Sequence, residues 1–146
     1  MNAPSRPHRR TLLAVAGGLL LLRPARATPE ALAAALRDFT GGAPLRDGRV
    51  RLQIAPLVDN GNTVPVSVGV PGVPPEQVQA LALFSERNPQ SDVIRAMFGP
   101  RAGERQLSTR MRLATSQQLV AVARLADGSC WAQRVDVVVT LSACLE

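Results

Sequence analysis

The chain changes its hydrophobic rhythm twice. Leu12 to Leu22 is an unbroken apolar run of eleven residues, and Ala31 to Phe39 follows as a second, gentler apolar segment. From residue 50 onward the period is two. Val50, Leu52 and Ile54 alternate with Arg49, Arg51 and Gln53, and Val64, Val66, Val68 and Val70 repeat the pattern. Strict alternation marks a half-buried strand. Further strands are predicted over Val78–Ser85, Asp92–Phe98, Arg105–Leu113, Leu119–Leu125 and Cys130–Leu141. The breaks between them carry turn chemistry at Asn60-Gly61, Pro71-Gly72, Asn88-Pro89, Gly99-Pro100 and Asp127-Gly128. Asp-Gly between two apolar runs is a strong hairpin signal, because both residues tolerate positive φ.

One short helix precedes the strands. Thr28 caps it, Pro29 suits its first position and Glu30 complements its N-terminal dipole; Gly41-Gly42 ends it. About seven short strands with regular turns predict an all-β chain, an immunoglobulin-like β-sandwich with a short N-terminal helix and a C-terminal arm. A small barrel is the alternative. At 146 residues, without repeats or a low-complexity linker, the chain is one domain's worth.

The first apolar run is too short to span a bilayer, which needs about 20 residues. Arg6, Arg9 and Arg10 precede it, and Ala25-Arg26-Ala27 follows as a small-x-small cleavage site. Residues 1–27 therefore read as a secretory signal peptide. The pair Arg9-Arg10 before Thr11-Leu12-Leu13 matches the twin-arginine export route, with an ordinary Sec signal as the alternative. The organisation expected is a leader over 1–27, a sandwich over 28–141 and an arm over 142–146.

Removing the leader changes the charge. The full chain carries +6, with 17 basic residues against 11 acidic. All 17 are arginine, and five of them leave with the leader, so the mature domain stands near +1. A nucleic-acid footprint requires a clustered basic surface, and this composition offers none. No second long apolar run follows, so the mature form is expected to be free of the membrane and to reside in the periplasm. That compartment is oxidising.

The chemistry available is sparse. The chain has no lysine and no tyrosine, and its one histidine is His8, within the leader. Schiff-base chemistry, a P-loop lysine, a histidine triad and a histidine metal site are therefore absent from the mature domain, and no cofactor is implied. Asp59, Asp92, Asp127 and Asp136 read as solvated acids of turns and polar strand faces. Ser108, Thr109 and Ser116 lack a base to activate them. Trp131 reads as core, and the scattered arginines as solvated faces.

Two cysteines remain, and in an exported protein a disulfide is the first reading. Cys130 and Cys144 lie 14 positions apart. A continuous strand over Cys130–Leu141 would separate its ends by about 36 Å, whereas a bridge needs Cα atoms within about 7 Å. Three residues of return are too few. Cys130 reads instead as a small buried hydrophobe, and Cys144 as an unpaired thiol on an exposed chain end, with a reach of about 10 Å beyond Leu141.

Residues 56–66 (Pro-Leu-Val-Asp-Asn-Gly-Asn-Thr-Val-Pro-Val), Glu86-Arg87-Asn88-Pro89, Ser108–Ala114, Val120–Ala123 and Asp127-Gly128-Ser129 come in an order and spacing that resembles the SoxY family, sulfur carriers of periplasmic thiosulfate oxidation. The resemblance implies an immunoglobulin-like sandwich, a heterodimer with a SoxZ-like subunit, and Sox-type periplasmic enzymes as further partners. It also implies a swinging arm whose cysteine, here Cys144, carries sulfur intermediates covalently. Family arms end in Gly-Gly-Cys-Gly-Gly; this one reads Ser142-Ala143-Cys144-Leu145-Glu146 and is closer to related paralogues ending in Ala-Ala-Cys-Ile-Glu. Losing four glycines stiffens the arm, so the enzymes it serves are expected to be different or co-adapted. The function expected is a non-enzymatic sulfur carrier. The alternative is a structural or interaction subunit whose Cys144 tethers a partner by a disulfide.

Overall fold

A computed structural model describes residues 27–144. The expected leader with Arg9 and Arg10, and the last two arm residues Leu145 and Glu146, lie outside the described residues. Helix α1 runs Pro29–Thr40. Its cap is the expected one: Thr28 Oγ1 accepts from the Ala31 amide at 3.2 Å, and Gly41 closes the helix at φ 64°, a left-handed conformation that favours glycine.

Nine strands follow, β1 Leu45–Asp47, β2 Arg51–Gln53, β3 Leu57–Asn60, β4 Val64–Gly69, β5 Val78–Ser85, β6 Asp92–Met97, β7 Leu107–Met111, β8 Gln117–Leu125 and β9 Cys130–Leu141. They form two sheets. The larger runs β1-β9-β8-β5-β6, with β3 also on β9; the smaller is β2-β4-β7. The expectation of about seven strands therefore misses two, β1 and β3. Both are short segments without alternation that pair parallel to β9, β1 at Cys130–Ala132 and β3 at Val138–Leu141. Parallel neighbours far apart in sequence carry no hairpin signal. The predicted Arg105–Leu113 strand shrinks to β7, because Arg105 is used to close a loop: its guanidinium donates to the Val78 carbonyl at 2.6 Å and the Gly99 carbonyl at 3.1 Å.

Strand β5, between β8 and β6, shows why the sandwich has a third layer. Leu81 and Leu83 face the small sheet and join the main core with Val64, Val66, Val68, Leu113 and Leu119. Ala80, Ala82 and Phe84 face the other way, and with Val120, Val122 and Ala132 they pack against Phe39 of α1. Small residues on that face let the helix approach. Phe39 meets Phe84 edge-on at 5.9 Å between centroids, an arrangement the ring quadrupoles favour.

Arginines lock this layer, contrary to their reading as solvated faces. Arg95 donates to Asp38 at 2.7 Å, is salt-bridged to Asp92 and lies over both phenylalanine rings. Arg124 donates to the Phe39 carbonyl at 3.3 Å. Trp131 packs against the main core as expected but is only half-buried. Its Nε1 donates to Ser129 Oγ at 3.0 Å, and Arg49 and Arg46 lie over its ring at 4.5 and 5.7 Å. The hairpin between β8 and β9 forms as expected, with Gly128 at φ 82°. Ser129 hydrogen bonds hold the Asp127 carboxyl below its ordinary range.

Phe39→Ala should lower unfolding stability by about 3 kcal/mol through loss of a buried ring. Thr28→Ala should cost only about 1 kcal/mol, because one exposed cap is lost. Urea unfolding of the two variants checks the ranking; equal midpoints would mean that α1 does not stabilise the sandwich through Phe39.

Candidate functional site

β9 delivers the arm. It is an uninterrupted twelve-residue strand, as expected, with Cys130 at its start and the arm leaving its end. Neither thiol is in a disulfide; Cys130 is buried and Cys144 exposed. Cys130 is 1% exposed, with its Sγ 4.0 Å from the Gly128 carbonyl. Burial pushes its thiol pKa up, against a smaller opposing effect of Arg124.

The arm does not simply leave the body. Ala143 is buried, 8% exposed. Its amide donates to the Leu113 carbonyl at 3.0 Å, the Leu113 amide to the Gly61 carbonyl at 2.9 Å, and the Gly61 amide to the Leu141 carbonyl at 2.8 Å. With the chain from Leu141 to Ala143, these three bonds close a ring. Gly61 is where the chain passes from β3 in the large sheet to β4 in the small one. A Cβ there would lie 2.6 Å from the Leu113 carbonyl oxygen and 3.1 Å from the Ala143 nitrogen, so the close approach requires glycine.

The segment carrying Leu113 is itself fixed. Asn88 Oδ1 accepts from the Ala114 amide at 3.1 Å and from Gln117 Nε2 at 2.8 Å, and its Nδ2 donates to the Arg112 carbonyl at 2.8 Å. Gln117 Oε1 accepts from the Arg87 amide at 2.9 Å. Ser116 Oγ accepts from the Val139 amide at 2.8 Å, tying the same loop to β9. Three sequence motifs far apart in the chain, around Asn60-Gly61, Asn88-Pro89 and Arg112–Ala114, thus meet at the root of the arm. Sequence reading expects Cys144 to be unpaired and exposed, as it is, but does not single out Gly61, Asn88 and Leu113, which gather around the segment before it. Asn60-Gly61 signals only a turn, and nothing in it reveals the carbonyl it must pass.

The remaining candidates serve the fold. Ser108 Oγ pairs with Ser67 Oγ at 2.9 Å, and Asp136 accepts from Gln118 at 3.0 Å. Cys144 lines none of three open clefts, of about 370, 530 and 610 Å³, on the described surface. Among the described residues, no three His, Cys, Asp or Glu side chains come together where a metal ion could be held, and no helix is long and apolar enough to cross a membrane.

Fold and site together define a β-sandwich that presents a single accessible thiol on a short C-terminal extension. The model of the sulfur oxidation protein SoxY family matches residues 36–144, and the chain belongs to that family. Similar solved structures include the sulfur carrier protein SoxY from Chlorobium limicola f thiosulfatophilum. It is 24% identical, with 78% of this chain and 100% of that chain covered and a TM-score of 0.66. A superoxide reductase (neelaredoxin) from Ignicoccus hospitalis is 20% identical, with 63% of this chain and 80% of that chain covered and a TM-score of 0.55. At such identities both likenesses speak to the fold alone. No curated protein matches the sequence.

The two thiols should differ sharply in reactivity. Native protein treated with iodoacetamide near pH 8 should gain one adduct, on Cys144, and a second only after unfolding in guanidinium. Intact-mass measurement checks this; two adducts on the folded protein would mean that Cys130 is not sealed. Because burial raises the Cys130 pKa, the unfolded chain ionises there first. Its contribution to stability is complete below the ordinary thiol value of 9.0 and declines as pH rises above it. Cys130→Ala should flatten that alkaline decline in urea midpoints.

Proposed function

We propose that this protein is a covalent carrier of sulfur compounds, with Cys144 as the attachment point, serving Sox-type enzymes in the periplasm. The observation that carries the reading is the exposed, unpaired Cys144 at the end of a SoxY-family sandwich. Only the thiolate form of a cysteine is a nucleophile. Joining it to a second sulfur anion forms one S–S bond and releases two electrons, so a partner enzyme must accept them. The mature chain contributes the sulfur atom and its presentation. With no lysine, no tyrosine and no histidine beyond the leader, it supplies little acid–base chemistry of its own. This supports a carrier rather than a catalyst.

Three further parts belong to the same proposal. Export follows the twin-arginine route through Arg9 and Arg10, a reading supported by the residues around them. The working unit is a heterodimer with a SoxZ-like subunit. Residues 142–146 form the arm, with Ser142, Ala143, Leu145 and Glu146 steering the thiol into client enzymes.

Protein isolated from its native periplasm should show a sulfur-bearing mass adduct on Cys144 that reduction removes, and Cys144→Ser should lack it. A reducible conjugate to another protein, or a mass two hydrogens low, would sink the carrier reading and favour a tethering or structural disulfide. Replacing both Arg9 and Arg10 by lysine should leave the precursor uncleaved in the cytoplasm. Normal export of that variant would assign the leader to the Sec route.

A further inference from the structure

Ala143 is the residue immediately before the exposed thiol, yet it is one of the buried residues of the body. Its amide is spent on the Leu113 carbonyl, and the Gly61 amide binds the Leu141 carbonyl just behind it. The slot admits it only because Gly61 has no side chain. The loop that supplies the Leu113 carbonyl is held by Asn88, Gln117 and Ser116.

From this geometry we propose that the arm is latched, with Ala143 seated between Gly61 and Leu113 as a positioning residue that sets how far Cys144 reaches. The proposal deepens the carrier reading of Cys144 and rests on it for its functional consequence. While Ala143 is seated, the Cys144 Cα stands one peptide, about 3.8 Å, from an anchored residue. The thiol is then held beside the body. When Ala143 leaves the slot, the free segment begins at Leu141 and the reach grows to about 10 Å. A client whose reacting atoms lie deeper than the latched thiol can reach engages only the released arm. It therefore draws on the minor state and must favour that state by its own contacts. The ring of backbone bonds makes release a discrete event, because the Ala143 methyl and amide leave together.

The latch is measurable without any cargo. In the full mature protein, the Ala143 amide should exchange with solvent about tenfold to a hundredfold more slowly than in the free peptide Ser-Ala-Cys-Leu-Glu, reflecting a local opening equilibrium. Ala143→Pro removes the donor amide at a position beyond the last strand. It should drop the backbone order parameter of Cys144 below about 0.6 while leaving core resonances in place. Ala143→Gly keeps the amide and should retain most of the order. Gly61→Ala, if it folds, should abolish the protection of Ala143. Exchange of Ala143 at the free-peptide rate, or an order parameter at Cys144 unmoved by Ala143→Pro, overturns the latch. Because exchange is read on unloaded protein, its failure leaves the Cys144 adduct test standing, and an absent adduct leaves the exchange result standing.

Discussion

Twelve residues of unbroken strand, Cys130–Leu141, hold the molecule in register. β9 pairs with β8 along eight positions on one side and with both β1 and β3 on the other. At one end it buries Cys130, and at the other it carries the chain to the exposed Cys144. An extended backbone cannot return on itself within three residues, so the strand keeps the two thiols apart. One is sealed and the other available because of that length. Gln133, the fourth residue of β9, also binds the small sheet, accepting from the Leu52 amide at 2.6 Å.

Around that strand the division of labour follows side-chain size. β5 places leucines toward the small sheet and alanines toward the helix, so the same strand serves a deep core and a close helix contact. Phe39 fills the helix side, and Arg95 and Arg124 close over it with their stems and guanidinium groups. Buried or stacked arginine combines apolar area with directional donors. A chain whose only strongly basic residue is arginine uses several of them this way, which is why their scatter along the sequence does not mean a solvated surface. Arg49 and Arg46 do the same over Trp131.

The proposed carrier function depends on presenting one atom rather than enclosing a substrate. The Cys144 thiol lines none of the three clefts described on the body. The body's contribution is placement. Backbone groups of the Gly61 and Leu113 loops converge on the end of β9 and the arm's root, and their three hydrogen bonds support one another. An arm with a seated alanine just before its cysteine is restrained up to the thiol itself.

The sequence by itself determined the helix and its caps, six strands close to their true limits, the Asp127-Gly128 hairpin and an exposed, unpaired Cys144. Each of these rests on local chemistry or on the reach of a few residues, which short-range patterns record. Only the tertiary structure decided that β1 and β3 add to β9 in parallel, that Trp131 sits half-buried beneath arginines, and that Ala143 is seated. Those features depend on backbone groups from distant segments meeting at Gly61 and along β9. A backbone carbonyl such as that of Leu113 has the same chemistry at every position, so no residue type announces which amide it will accept.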